Sequence, residues 1–284
     1  MKTRTFIYGL LAFSLLVNAA FGVRWLKQKR AKIAAAQTMV YAYEGPTGDM
    51  RQQVECRQST PGERAAVLLI LGQSNAANSL NAFSEPAAGV VNFSLYDGKC
   101  YLASDPLIGA SNAGGNFATL LATQMIEQRH YERVVLAPIA VGGTLVQQWA
   151  PAGEHNRRIT IAIERLRKAK LEPTHVLWHQ GEGNRLDSPA RYRAAFLGVL
   201  STIRRDGVEA PVFVAQATVC ASVRGEGIRA AQRDLVDPAK GIFAGPDTDQ
   251  IGEAFRYDGC HFDGEGGKRV ADLWLSALLH QKKN

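Results

Sequence analysis

Short apolar runs alternate along this chain with segments of helical period. Ala66–Leu71, Val134–Ala140, His175–His179 and Pro211–Ala217 are aliphatic or β-branched runs of strand length. Near-continuous apolar runs of this kind belong to parallel strands covered on both faces. The segments between them repeat apolar residues at helical spacing. Phe117, Leu120, Leu121 and Met125 share one face, as do Ile159, Ala162, Ile163 and Leu166. Tyr192, Ala195, Phe196, Val199, Leu200 and Ile203 form the clearest stripe, and Val270, Ala271, Trp274, Leu275 and Leu278 form the last. Alternating strands and helices predict an α/β fold with one parallel sheet. No second domain, internal repeat or low-complexity run interrupts the pattern.

The amino terminus follows another pattern. Phe6 to Val23 is an uncharged stretch of 18 residues, close to the length that spans a bilayer as a helix. Residues 1–32 are read as a membrane anchor or signal segment, with the uncleaved anchor favoured because the apolar run is long and a basic cluster follows it. Residues 33–50 read as a stalk, and residues 51–284 as the globular domain.

Composition changes this picture in one respect. The net charge of +7 suggests a nucleic-acid partner. However, Lys2, Arg4, Arg24, Lys27, Lys29, Arg30 and Lys32 all lie in the first 32 residues, where there is no acid. The remaining 26 basic residues match the 26 acidic ones, so the body is formally neutral and no nucleic acid is expected.

The basic residues after the span outnumber those before it, which by the positive-inside rule favours a cytoplasmic body. The cysteines point the other way. Cys56, Cys100, Cys220 and Cys260 form no CxxC pair and have no zinc-finger spacing, and an even count fits two disulfides in an oxidising compartment. The expected location is therefore the inner membrane with the domain in the periplasm, or secretion if the segment is cleaved. Four buried thiols in a cytosolic enzyme are the alternative.

The run ending at Leu71 breaks into Gly72, Gln73, Ser74 and Asn75. The carboxyl end of a strand is where open α/β sheets place ligands, so Ser74 is a candidate nucleophile. A serine nucleophile needs a base and a group that orients the base. "DGCH" places Asp258 three residues before His261, so that one turn presents the carboxylate to one ring nitrogen. Two further stretches follow predicted strands. Gly142 and Gly143 in "VGGTLVQQW" let backbone N–H groups approach a ligand, and "HQGEGN" brings Gln180, an amide donor, and Glu182, which could fix the surrounding loops. Each has a plainer reading, as a turn or as a buried polar cluster. Asn75 and Asn78 are expected to make local hydrogen bonds after the nucleophile turn. Trp149 and Trp178 either line a sugar subsite or pack beside the glycine turns. His175 and His179 lack a third ligand, so no metal is expected. Asp263 and Glu265 look like the start of the last helix.

Taken together and in order, "GQSN", "GGTLVQQW", "WHQGEGN" and "DGCHFD" resemble the sialate O-acetylesterase-type carbohydrate esterases of the SGNH hydrolase superfamily. The resemblance runs from Val67 to about Leu278. It implies a three-layer αβα sandwich with a flavodoxin-like parallel sheet, the SGNH hydrolase fold, in which the first strand is central. It also implies a triad of Ser74, Asp258 and His261. The oxyanion donors would be the backbone N–H of Ser74, Gly143 in preference to Gly142, and the side chain of Gln180, with Glu182 and Asn75 in support. One departure is that Gly183 and Asn184 follow Glu182 where the family has a serine or alanine and then an acid.

The activity implied is removal of O-acetyl groups from a glycan or envelope polysaccharide, without a cofactor or metal. Acetyl transfer with a membrane partner and non-catalytic glycan binding are the alternatives. If His261 is to reach Ser74, the loop holding Cys260 must lie at the same sheet edge as Cys220, which follows the strand ending near Ala217. Of the three pairings four cysteines permit, this favours Cys220 with Cys260, and leaves Cys56 with Cys100.

Overall fold

A computed structural model describes residues 51–280. The anchor or signal segment and the stalk lie outside the described residues. Eight strands form one sheet: β1 (Gln53–Val54), β2 (Ala65–Gly72), β3 (Val90–Phe93), β4 (Cys100–Leu102), β5 (Arg133–Pro138), β6 (His175–His179), β7 (Val212–Gln216) and β8 (Ile242–Asp247). Their order is β1-β4-β3-β5-β2-β6-β7-β8. β3, β5, β2, β6, β7 and β8 run parallel, while β4 is antiparallel to β3 and β1 to β4. The sheet is therefore mixed at one edge rather than wholly parallel.

The four expected strands are β2, β5, β6 and β7, the middle of the sheet. In β2 every residue from Ala66 to Leu71 is fully buried, as a central parallel strand requires. The edge strands are short and carry weaker patterns. β3 has Asn92 in its middle, and this buried carboxamide exchanges hydrogen bonds with Ile108, accepting its N–H at 2.6 Å and donating to its carbonyl at 3.0 Å.

Helices cover both faces: α1 (Phe117–Glu127), α2 (Val146–Trp149), α3 (Asn156–Lys168), α4 (Pro189–Arg205), α5 (Glu226–Asp234) and α6 (Gly264–His280). Side chains alternate across a strand, which assigns each helix a face. Leu68, Ile70, Leu136 and Leu177 form one core with Phe117 and Leu121 of α1 and Val270 and Trp274 of α6. Trp178 points the other way, its ring 6.2 Å from Trp149 of α2 and 5.5 Å from Phe196 of α4. Truncating a side chain such as Leu68 to alanine would cost about 2–5 kcal/mol.

The expected start of the last helix also holds, with Asp263 Oδ1 accepting the Gly266 N–H at 2.7 Å just before α6. The neighbours of β2 are β5 and β6, so the chain crosses β2 as it passes from one side of the sheet to the other. In open α/β sheets ligands bind at such a switch point, beyond the carboxyl ends of the strands.

Two disulfides, Cys56–Cys100 and Cys220–Cys260, have the expected partners. The first joins the segment after β1 to the start of β4. The second joins the loop after β7 to the loop before α6.

Candidate active site

Ser74 opens a single 3₁₀ turn, Ser74–Ala76, immediately beyond β2. The turn is possible because β2 ends in Gly72. Its φ is +139°, and a Cβ there would stand 2.0 Å from the His179 carbonyl oxygen. Glycine therefore lets the ends of β2 and β6 close on each other, and the Gln73 N–H reaches His179 O at 3.2 Å. Gln73 O then accepts the N–H groups of Ala76 and Ala77. The Ser74 N–H, at the head of the turn, has no acceptor among the described residues.

Asp258 and His261 lie in the loop before α6. His261 Nδ1 and Asp258 Oδ2 are 2.6 Å apart, while Asp258 Oδ1 accepts the backbone N–H of His261 at 2.7 Å and of Cys260 at 2.9 Å. Partial burial works against the Asp258 charge, but these hydrogen bonds outweigh it and hold the carboxyl below its ordinary range. The carboxylate fixes the imidazole with Nδ1 as donor and leaves Nε2 free to accept a proton. Tyr257 stacks on the His261 ring at 5.9 Å, and its hydroxyl donates to Ser79 O at 3.3 Å.

Asn75 connects the two segments. Its Nδ2 donates to Glu182 Oε1 at 2.7 Å and to Cys260 O at 3.2 Å. These partners are 107 and 185 residues away, so Asn75 bonds across the molecule and not locally as expected. Asn78 is likewise non-local, donating to Leu107 O at 2.9 Å and accepting from Leu107 N at 3.0 Å.

The glycine pair separates cleanly. The Gly142 N–H donates to Ser111 Oγ at 2.7 Å, whereas no described residue accepts from Gly143. Gly143 has φ +72°, and a Cβ there would meet nothing within 4 Å, so it is the turn conformation and not crowding that favours glycine here.

Gln180 is fully buried, and its Nε2 already faces three oxygens of the protein. Glu182 is also buried, and burial pushes its pKa up to about 7. Beside it, burial pushes the His179 pKa down to about 3. His179 Nε2 lies 3.9 Å from Glu182 Oε1.

Trp149 and Trp178 are buried, with indole N–H groups donating to Thr144 Oγ1 at 2.9 Å and to the Tyr192 hydroxyl at 3.2 Å. They pack beneath the turns and line no open subsite.

Two residues that hold the base loop gave no signal in the sequence. Arg256 donates to Cys260 O at 2.5 Å and to Thr248 O at 3.0 Å. Asp249 accepts the N–H groups of Thr218 at 2.7 Å and Val219 at 2.8 Å, fixing the path from β7 to Cys220.

A serine turn at the switch point of an αβα sandwich is thus tied through Asn75 to a loop that carries an Asp–His pair. Residues 64–279 match the family described as carbohydrate esterase, sialic acid-specific acetylesterase, and the chain belongs to it. No curated protein matches the chain. Several solved structures share the fold. A protein from Arabidopsis thaliana is similar at 20% identity and a TM-score of 0.63, covering 76% of this chain and 98% of its own. A carbohydrate acetylesterase from Xanthomonas citri is similar at 17% identity and 0.54, covering 76% of this chain and 56% of its own. A carbohydrate esterase family 3 enzyme from Talaromyces cellulolyticus aligns at 11% identity and 0.50, covering 77% and 98%.

Proposed function

We propose that this carbohydrate esterase removes O-acetyl groups from a glycan through Ser74, His261 and Asp258. The observation that carries the reading is the Asp258–His261 pair at 2.6 Å, in a loop bonded to the Ser74 turn through Asn75 and Cys260. Ser74 Oγ attacks the acetyl carbon, and His261 Nε2 takes the hydroxyl proton. The tetrahedral oxyanion is received by the free N–H groups of Ser74 and Gly143. Collapse expels the sugar alkoxide, which takes the proton from His261. Water then attacks the acetyl-enzyme, giving a proton to His261, and acetate leaves as His261 returns that proton to Ser74 Oγ. Neither step calls for a metal or cofactor.

The Xanthomonas neighbour is a carbohydrate acetylesterase, which supports an acetylated sugar as the substrate here. The two disulfides support an oxidising compartment, and with the apolar Phe6–Val23 segment they favour a periplasmic domain held at the inner membrane. An envelope polysaccharide is then the substrate within reach.

The test is turnover of p-nitrophenyl acetate by the full-length chain and by Ser74→Ala, followed by acetylated glycans with and without an acceptor sugar. Released acetate that depends on Ser74 is expected. Acetate appearing on the acceptor would replace hydrolysis by transfer, and turnover unaffected by Ser74→Ala would sink the mechanism.

A further inference from the structure

The loop that carries the base is a short antiparallel hairpin. Arg256 and Phe262 pair across it, and the Tyr257 N–H donates to His261 O at 3.0 Å. Successive residues of an extended chain point to opposite faces, so this pairing sorts four side chains. Arg256 and Phe262 turn inward and are buried, with the guanidinium 4.0 Å from the centre of the Phe262 ring. Tyr257 and His261 turn outward together. The pairing therefore decides what stands beside the base, and it is a half-exposed phenol.

That phenol is held as well as exposed. Its hydroxyl donates to Ser79 O at 3.3 Å, and partial burial, with the Asp258 charge after it, raises the Tyr257 pKa, so the proton for this bond is kept. The Tyr257 and His261 rings lie at 26° with centroids 5.9 Å apart. This is an offset stack, in which the imidazole covers only part of the phenol face. A tyrosine fixed in this way offers a rigid surface to a ligand at little further cost in entropy.

Exposed apolar side chains differ between the two flanks of the site. On the side of Gly143 they are aliphatic, Leu145 and Leu186. On the side of His261 they are aromatic, Tyr257 and Phe83. Phe83 ends a segment tied to the base loop through Ser79 and packed on the start of α6, where a Cβ built at Gly264 would stand 3.0 Å from Ala82 Cβ.

We propose that the Tyr257 ring is the platform on which the pyranose ring of the leaving sugar stacks. This rests on the reading of Ser74 as an esterase nucleophile with His261 as its base. His261 gives its proton to the departing alkoxide, so the sugar bonded to that oxygen lies on the His261 flank and away from the oxyanion donors. There the weakly positive C–H bonds on one face of a pyranose meet the negative face of the phenol ring. Tyr257 thus determines specificity, because an acetyl ester of a ringless alcohol makes no such contact.

The experiment compares glucose pentaacetate with ethyl acetate on the full-length chain. The quantity read is the ratio of the two kcat/KM values. Tyr257→Leu is expected to lower that ratio by about 10- to 100-fold, mainly through KM for the sugar ester. Tyr257→Phe drops the tie to Ser79 O but keeps the ring, so it should restore the wild-type ratio. A residue that merely held His261 in place would slow both esters alike. A wild-type ratio in Tyr257→Leu therefore overturns the proposal, and so does a wild-type chain that shows no preference for the sugar ester.

Should Tyr257→Leu fold poorly, the Ser74→Ala chain labelled with ¹³C-tyrosine decides. The Tyr257 ring signal, assigned by its loss when Tyr257→Phe is added, should shift with glucose pentaacetate at concentrations that saturate wild-type turnover. A signal that stays in place overturns the assignment. A wild-type chain that hydrolyses neither ester is a different failure, because it removes the esterase reading itself.

Discussion

Ser74 is 6% exposed and stands where a fully buried strand ends, whereas the Asp258 and His261 side chains are 41% and 25% exposed in a loop of irregular backbone. Ser74 and its backbone N–H belong to the middle of the sheet, and displacing them means disturbing the core. The Asp258–His261 loop is held by a handful of ties: the Cys220–Cys260 bridge, Asn75 and Arg256 on Cys260 O, and Tyr257 on Ser79 O. Stability and activity should therefore separate between the two halves. Changes at the sheet edge remove chemistry or fold outright, while changes at the loop ties detune the base in a domain that remains folded.

The largest expected effect tests the sheet side. Ser74→Ala removes only a hydroxyl, so thermal unfolding should stay within a degree or two of wild type while turnover falls by several orders of magnitude. Residual activity above a small fraction of wild type would mean that the nucleophile lies elsewhere.

Next comes the base. Asp258→Asn keeps an oxygen for the N–H groups of Cys260 and His261, so the loop should hold its shape. The carboxamide nitrogen would instead face Nδ1 and favour the wrong tautomer, and kcat should drop by about 10³- to 10⁴-fold. If kcat changed by less than tenfold, Asp258 would be a loop brace and another carboxylate would have to orient His261.

The two disulfides sharpen the contrast, because one lies beside the site and the other at the far edge of the sheet. Replacing Cys220 and Cys260 by serine should lower activity at temperatures where the domain is still folded. Replacing Cys56 and Cys100 should lower the unfolding temperature with kcat preserved. The stability cost of each should be about 2–4 kcal/mol. Peptide mapping without reduction should recover both pairs, and free thiols at all four positions would remove the argument for an oxidising compartment.

What the sequence disclosed followed the same division. The central strands were readable because burial on both faces demands unbroken apolar runs, as in Ala66–Leu71. β1, β3, β4 and β8 were not, since strands of two to six residues outside the middle of the sheet, with Asn92 or Gly245 and Pro246 among them, carry little period. Ser74, Asp258 and His261 stood out by residue type at strand ends and in a tight turn, and both cysteine pairs followed once the base loop was placed at the sheet edge. The supporting contacts stayed hidden because they join distant segments. Nothing near Asn75 announces Glu182 or Cys260, and nothing near Arg256 announces Thr248.

The smallest effect probes the ground between the two halves, where Glu182 holds Asn75. Its Oε1 accepts from Asn75 at 2.7 Å, and its Oε2 is buried without a partner. Burial raises its pKa from 4.5 to about 7, so across that window the folded chain keeps a proton that the unfolded chain has released. The Glu182 contribution to stability is therefore complete below about pH 4.5, declines as pH rises, and is gone above about 7. His179 acts in the other direction, because its pKa falls from 6.5 to about 3 and it adds stability as pH climbs through that range. The two slopes oppose each other in wild type, so the contribution is read from a difference. Glu182→Gln keeps an oxygen for Asn75 and does not titrate. Its stability relative to wild type should rise from pH 4.5 to pH 7 by up to about 3 kcal/mol and then level off. Denaturant unfolding of both proteins at closely spaced pH values measures this, and a difference that stays flat from pH 4.5 to 8 would show that Glu182 is already ionised in its buried place beside Asn75.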